Sequence, residues 1–421
     1  MTNHLAERPT TTDRVAKWIR RLCVPIMLFW LAITILSNAL VPQLEAVGAE
    51  HNVALSSPSS PSLQAFQRIG KVFHEFDSDS AAMVVLEGDQ PLGADAHRYY
   101  DELVKRFNED TKHVEHVQDF WGDPLTAAGS QSPDGKAAYV QVFLSGNQGE
   151  ALSLESVDAL RDIIAKTPAP PGIHAYVAGS AAQIADQFEV GNESTVMVTA
   201  LTVGVIAIML LIVYRSPVTM ILALLTVLIE MSAARGIVAF LANIGVIGLS
   251  TYSTNILTLL VIAAGTDYII FLLGRYHERR NDGMDREAAF YDMYRGTSHV
   301  ILGSGLTIAG AVFCLSFTRL PYFQSLGIPA AIGVLVSLVA SLTLAPAVLV
   351  IGSRFGLLEP KRKTAKRGWR RIGTAIVRWP GPILIATLAL AFVGLAALSG
   401  YKVSYDVSRY MPASAPSNVG Y

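Results

Sequence analysis

The chain has 421 residues, of which 51% are hydrophobic and only 16% charged, with a formal net charge of −1. Soluble globular proteins carry about 25% charged residues, so this composition excludes a chain built only of water-soluble domains. The near-neutral total hides a strong segregation of charge by segment.

Residues 1–21 are polar and carry Arg14, Lys17, Arg20 and Arg21. They lead into the apolar run Leu22–Val41, and a membrane-spanning helix needs about 20 such residues. Pro42-Gln43-Leu44 offers no small-residue cleavage site, so the run is an uncleaved first helix and not a signal peptide. Residues 42–193 follow with 23 Asp and Glu against 9 Lys and Arg. Their periodicity predicts helix Leu63–Phe76, strand Ala81–Leu86, helix Ala94–Asn108 and strand His113–Phe120. Strand Ala137–Leu144, helix Leu152–Lys166, strand Ile173–Val177 and helix Ala181–Val190 come next. The core order β-α-β-β-α-β predicts an α+β ferredoxin-like, porter-like domain, with Asp134-Gly135 as the turn between the middle strands.

Six further apolar runs are long enough to span: Thr195–Val213, Val218–Ala242, Thr254–Gly274, Val300–Phe317, Phe323–Ile351 and Gly381–Ser399. The sequence therefore predicts a polytopic α-helical membrane protein of about seven transmembrane helices. Helices 2–6 occupy 194–351 with a loop at 275–299, a basic linker fills 352–380, and helix 7 is 381–399. Arginines and lysines mark the cytoplasmic side. They cluster before helix 1, at Arg215 after helix 2, at Arg275–Arg295 after helix 4 and at 354–378 after helix 6. These segments fall on one side if seven spans alternate. The N-terminus, loop 275–299 and linker are then cytoplasmic, and the acidic domain 42–193 is extracytoplasmic. Residues 400–421 repeat a motif seen after helix 1, where a Ser/Pro spacer precedes a helix start (Ser57-Pro58-Ser59-Ser60-Pro61 and Ala415-Pro416-Ser417). A second extracytoplasmic domain is expected to start here, with the chain stopping inside it.

Within the spans, Asp267 stands out in Ala263-Ala264-Gly265-Thr266-Asp267-Tyr268. A carboxylate at mid-span costs about 2.5–3.5 kcal/mol on insertion scales, and such residues mark proton or ion paths. Tyr268 brings a hydroxyl beside it. Glu230 and Arg235 in helix 3 are possible intramembrane polar partners. They point about 140° apart on a helix, so they do not pair with each other, and Glu230 is placed to face Asp267 or a polar path. Gly303, Gly305 and Gly310 predict a close-packing face on helix 5, and Pro329 and Pro346 predict kinks in helix 6. The mixed stretch Met284–Thr297 is expected along the cytoplasmic interface. The basic 354–378 segment is expected against anionic lipid. No nucleophile–base set, metal constellation, phosphate-binding loop or dinucleotide fingerprint occurs. No enzyme activity, cofactor, metal or nucleic-acid partner is expected, and any active transport draws on a proton gradient.

Gly265-Thr266-Asp267-Tyr268-Ile269-Ile270-Phe271-Leu272-Leu273-Gly274-Arg275-Tyr276-His277-Glu278, with Asp285-Arg286-Glu287-Ala288-Ala289, Arg295-Gly296-Thr297 and Leu320-Pro321-Tyr322-Phe323, resembles the MmpL family of the resistance–nodulation–division (RND) superfamily. The resemblance extends over essentially the whole chain. It implies an RND-type half-transporter: the N-terminal half of a proton-motive-force-driven exporter of lipids, glycolipids or siderophores, in the cell membrane. It implies a proton relay through Asp267 and Tyr268. It implies a second half-transporter chain or accessory protein as partner, because the family's members carry two such repeats. The alternative is an inactive truncated membrane scaffold whose outer domain binds partner proteins or lipids.

Overall fold

In the computed structural model of the chain, residues 11–50, 53–358, 367–404 and 406–421 are described. Lys361, Arg362, Lys363 and Lys366 of the predicted basic linker lie outside them. Helix α1 (Thr11–Arg21) buries Ala16 and Ile19, turns Arg14 and Arg21 outward and ion-pairs Arg20 with Glu287. Its neighbour α2 (Cys23–Leu40) has 18 residues at 1.5 Å rise, about 27 Å in all, which matches the hydrocarbon thickness of a bilayer.

A short helix α3 (Leu44–Glu50) and helix α4 (Pro61–Phe73) precede the inserted domain's sheet. That unit then runs β1 (Ala81–Gly88), α5 (Ala94–Glu109), β2 (Val114–Gln118), β3 (Ala137–Leu144), α6 (Ala151–Lys166) and β4 (Ile173–Ala178). The sheet order is β2-β3-β1-β4, antiparallel throughout, which is the ferredoxin-like arrangement. Alternation decides which face is buried. Ala82, Val84 and Leu86 of β1 and Ala138, Val140, Val142 and Leu144 of β3 are at most 2% exposed. They form the core with Tyr100, Leu103 and Phe107 of α5 and Val157 and Leu160 of α6. The turn before β3 places Gly135 at φ +72°, a left-handed conformation suited to glycine.

The membrane helices follow as α7 (Ser180–Tyr214), α8 (Pro217–Asn243), α9 (Thr251–Asn281), α10 (Arg286–Phe313), α11 (Pro321–Arg354), α12 (Arg367–Arg378) and α13 (Pro380–Leu398). A last short helix, α14 (Pro416–Val419), closes the chain. Among the described residues seven helices are long and apolar enough to cross a membrane. Three features differ from the sequence expectation. The predicted helix Ala181–Val190 and the second span are one helix, α7, of 35 residues and about 52 Å; no proline interrupts it, so the inserted domain sits on a continuous rod. The predicted loop 275–299 is helical except for the turn between α9 and α10. There Asp285 caps α10 by accepting the Ala288 N–H at 2.7 Å. Residues 284–297 are packed into the helix bundle: Ala289, Phe290, Met293, Tyr294 and Thr297 form a buried stripe that extends the α10 contact with α9 and α11.

The bundle centre is α9 and α11, flanked by α8 and α10. Helix α11 is continuous through Pro329 and Pro346. By contrast no residue of α13 is buried.

Candidate functional site

Helix α9 begins at Ser250, whose Oγ accepts the Ser253 N–H at 3.2 Å; such a cap stabilises a helix by about 1 kcal/mol. Thirteen residues further, Ala263-Ala264-Gly265 lets neighbours approach closely on one side of α9. Ala264, Gly265, Thr266 and Tyr268 are buried, while Ala263, Asp267, Phe271 and Gly274 are exposed. These four recur at i, i+4, i+8 and i+11 and form one stripe. Asp267 lies in it and has no hydrogen-bond partner among the described residues. Tyr268, 100° round the helix, is 6% exposed and points to α10, with its Oη 3.5 Å from Ser304 Oγ. The predicted pair therefore diverges: the carboxylate faces out of the bundle and the phenol faces into it.

Glu230 takes a third direction. It is fully buried. Ser337 Oγ of α11 donates to Glu230 Oε1, and Ser341 Oγ lies 3.3 and 3.4 Å from its two oxygens. A Cβ built on Gly265 would stand 2.5 Å from Glu230 Oε1. Gly265 precedes Asp267 by two residues, about 200° round the helix, so Glu230 lies behind α9 and does not face Asp267. Arg235, 22% exposed at its side chain, ion-pairs with Glu45 of α3 and donates to Thr258 Oγ1 of α9 at 2.7 Å. Glu230 and Arg235 thus have separate partners on separate elements.

The three glycines of α10 also separate. Gly305 is buried, and a Cβ there would come within 2.7 Å of the Leu338 side chain. Gly303 and Gly310 are exposed with open space around them. They do not form the packing face expected of them: being seven residues apart, they share the outward side of α10, on which Thr307 also lies.

Sequence reasoning did not identify Ser337, Ser341, Gly265 or Glu45 as partners. The i, i+4 spacing of the two serines in span 6 was the available signal. It also missed Asp186 of α7, 1% exposed, which ion-pairs with Arg161 of α6 and accepts the Ser417 N–H of α14 at 2.7 Å. Beside it Gly420 seats against Tyr176 and Ala178 of β4. Cys23 is buried, Cys314 exposed, and both are free thiols. Among the described residues no group of three His, Cys, Asp or Glu side chains is placed to hold a metal.

Comparison with known proteins places these features in context. The family model of the MMPL family matches residues 54–383. The chain is 59% identical over 407 residues to the probable transport protein MmpL4 of Mycobacterium leprae, covering 97% of this chain and 42% of that protein. It is 56% identical over 416 residues to the siderophore exporter MmpL5 of Mycobacterium tuberculosis, covering 99% and 43% respectively. It is 32% identical over 419 residues to the sulfolipid-1 exporter MmpL8 of the same species, covering 98% and 38%. The chain thus spans about two fifths of the length of the curated relatives it matches.

Proposed function

The chain belongs to the MMPL family, and from that premise we propose that it acts as the N-terminal half of a proton-driven exporter of lipids, glycolipids or siderophores. Relatives named as siderophore and sulfolipid exporters bracket that substrate range. The proposal includes the cell membrane as its location, α1 and the α9–α10 turn on the cytoplasmic side, and the inserted domain outside. The clustering of Arg14, Lys17, Arg20, Arg21 and Arg275–Arg295 at one end of the spans supports this. In this arrangement α12, with Arg371 and Arg378 on an amphipathic helix, rests on anionic lipid.

One observation carries the reading: Asp267 stands in the apolar span of α9, exposed, and without a partner among the described residues. A lone carboxylate in hydrocarbon is costly, so the stripe Ala263–Asp267–Phe271–Gly274 is a contact face. A complementary half packed here encloses Asp267 and makes its proton exchange depend on which side of the membrane is open. Tyr268, on a different side of α9, places its hydroxyl 3.5 Å from Ser304 of α10 and would join the relay only when the helix or water brings it to Asp267. Positioned proton transfer contributes about 10²–10⁴-fold to a rate. Coexpressed with a complementary second half, Asp267→Asn lowers export at least about 100-fold at equal protein level; undiminished export would sink the proposal.

A further inference from the structure

The relay through Asp267 leaves a second intramembrane carboxyl unused. Glu230 is fully buried and lies in the middle of the spanning helix α8. Among the described residues no cation is within ion-pair distance of it. Its partners are the hydroxyls of Ser337 and Ser341 and the bare backbone of Gly265. An ionised carboxylate in such a place is strongly disfavoured unless paired. A carboxylic acid fits it well. Ser337 donates to one oxygen, and Ser341, a hydroxyl that serves as donor or acceptor, is placed to accept the proton of the other.

The other titratable groups on the packed elements are engaged elsewhere. Arg235 is held by Glu45 of α3. On α9, Asp267 faces outward and Tyr268 faces Ser304. Helix α11 has no ionisable side chain between Tyr322 and Arg354, and α2 has only Cys23 at its start. The acids of α7 lie within 186–193, beside the inserted domain, and its Tyr214 donates to the Ile270 carbonyl at 2.9 Å. Thr266 adds a further observation. It lies between Gly265 and Asp267 in sequence, is 5% exposed, and its hydroxyl has no hydrogen-bond partner among the described residues.

We propose that Glu230 is a second proton-binding site of the membrane domain, and that gain and loss of its proton sets how α9 is seated and hence where Asp267 stands. The first half of this stands on the geometry alone; the second rests on the relay reading given above. When the carboxyl is neutral, the Ser337–Glu230–Ser341 cluster holds α11 against α8 and lets Gly265 abut it. When the proton leaves, the charge left behind has only hydroxyls and a bare helix backbone around it, and it draws water or the Thr266 hydroxyl toward itself by moving α9. Glu230 is thus a positioning residue for Asp267 and takes no part in carrying its proton.

Infrared spectroscopy of the purified chain in lipid tests this. The parent shows a protonated-carboxyl stretch in the neutral range that Glu230→Gln removes and Asp267→Asn leaves in place. Glu230→Gln retains its serine contacts, so its unfolding midpoint stays near the parent's and a lost band is not a lost fold. Gly265→Ala, which puts a methyl against the carboxyl, shifts the same band. In the coexpressed exporter, Glu230→Gln displaces the pH profile of export. A Glu230→Gln spectrum identical to the parent's across the neutral range overturns the proton site, whatever Asp267→Asn does to export. An unmoved band in Gly265→Ala or an unmoved pH profile overturns the link to α9. Retained export in Asp267→Asn removes the relay and leaves the infrared result standing.

Discussion

Asp186 shows how a single buried charge is made tolerable. Its carboxylate is 1% exposed, and Arg161 supplies the opposite charge while the Ser417 amide supplies a further donor. Removing one partner of a buried pair costs about 3–5 kcal/mol because the other is left uncompensated. Arg161 is 22% exposed and also pairs with Asp158 at 3.5 Å, so water and that second carboxylate recover part of the cost. Asp186→Ala is expected to destabilise the inserted domain by about 2–3 kcal/mol, a fall of roughly 5–10 °C in its unfolding midpoint. Thermal unfolding followed by circular dichroism in detergent checks this, and an unchanged midpoint would show that the pair contributes nothing net. Arg235 solves the same problem in the bundle by reaching out of it, to Glu45 on α3. Among the described residues Glu230 has no such counter-charge, and that contrast separates a structural ion pair from a site poised to change its charge.

At the scale of elements, the glycines of α10 give a paired prediction. Gly305→Leu drives a large side chain into Leu338 and costs about 1–3 kcal/mol. Gly303→Ala meets open space and gains up to about 1 kcal/mol from helix propensity. Opposite shifts of the unfolding midpoint in detergent are therefore expected; a loss of stability in both would refute the assignment of faces. The helices themselves were legible because runs of about 20 apolar residues have few alternatives, and the ferredoxin-like unit because its strands alternate cleanly. Strand Ala137–Leu144 was legible to the residue. The facing of each membrane helix was not. Lipid, bundle interior and a partner chain are all apolar surroundings, so periodicity does not tell Gly303 from Gly305 or the outward Asp267 from the inward Tyr268. Charged residues such as Arg279 and Arg286 suggested a loop at 275–299, yet a stripe of Phe290, Met293 and Tyr294 kept that stretch helical and packed.

At the scale of the whole molecule, the proposed orientation makes a prediction that needs no transport. Leu125 is 93% exposed in the inserted domain, and Arg371 lies in the basic segment beyond α11. With Cys23 and Cys314 replaced by serine, Leu125→Cys is labelled by a membrane-impermeant maleimide in intact cells, and Arg371→Cys only after permeabilisation. The reverse pattern would invert the topology. The contact between α14 and the inserted domain has a consequence in time. Asp186 and Ser417 are 231 positions apart. At a synthesis rate of about 5–20 residues per second, the amide that completes the Asp186 site follows the carboxylate by roughly 10–50 s. The α+β unit, whose own strands and helices are complete by Ala178, therefore folds first with only Arg161 to hold that charge. Six spans must be inserted, from α7 to α13, before residues 415–421 reach β4 and latch onto it. The inserted domain thus gains this contact only after the membrane helices between have been made, and the contact reports that they have been threaded.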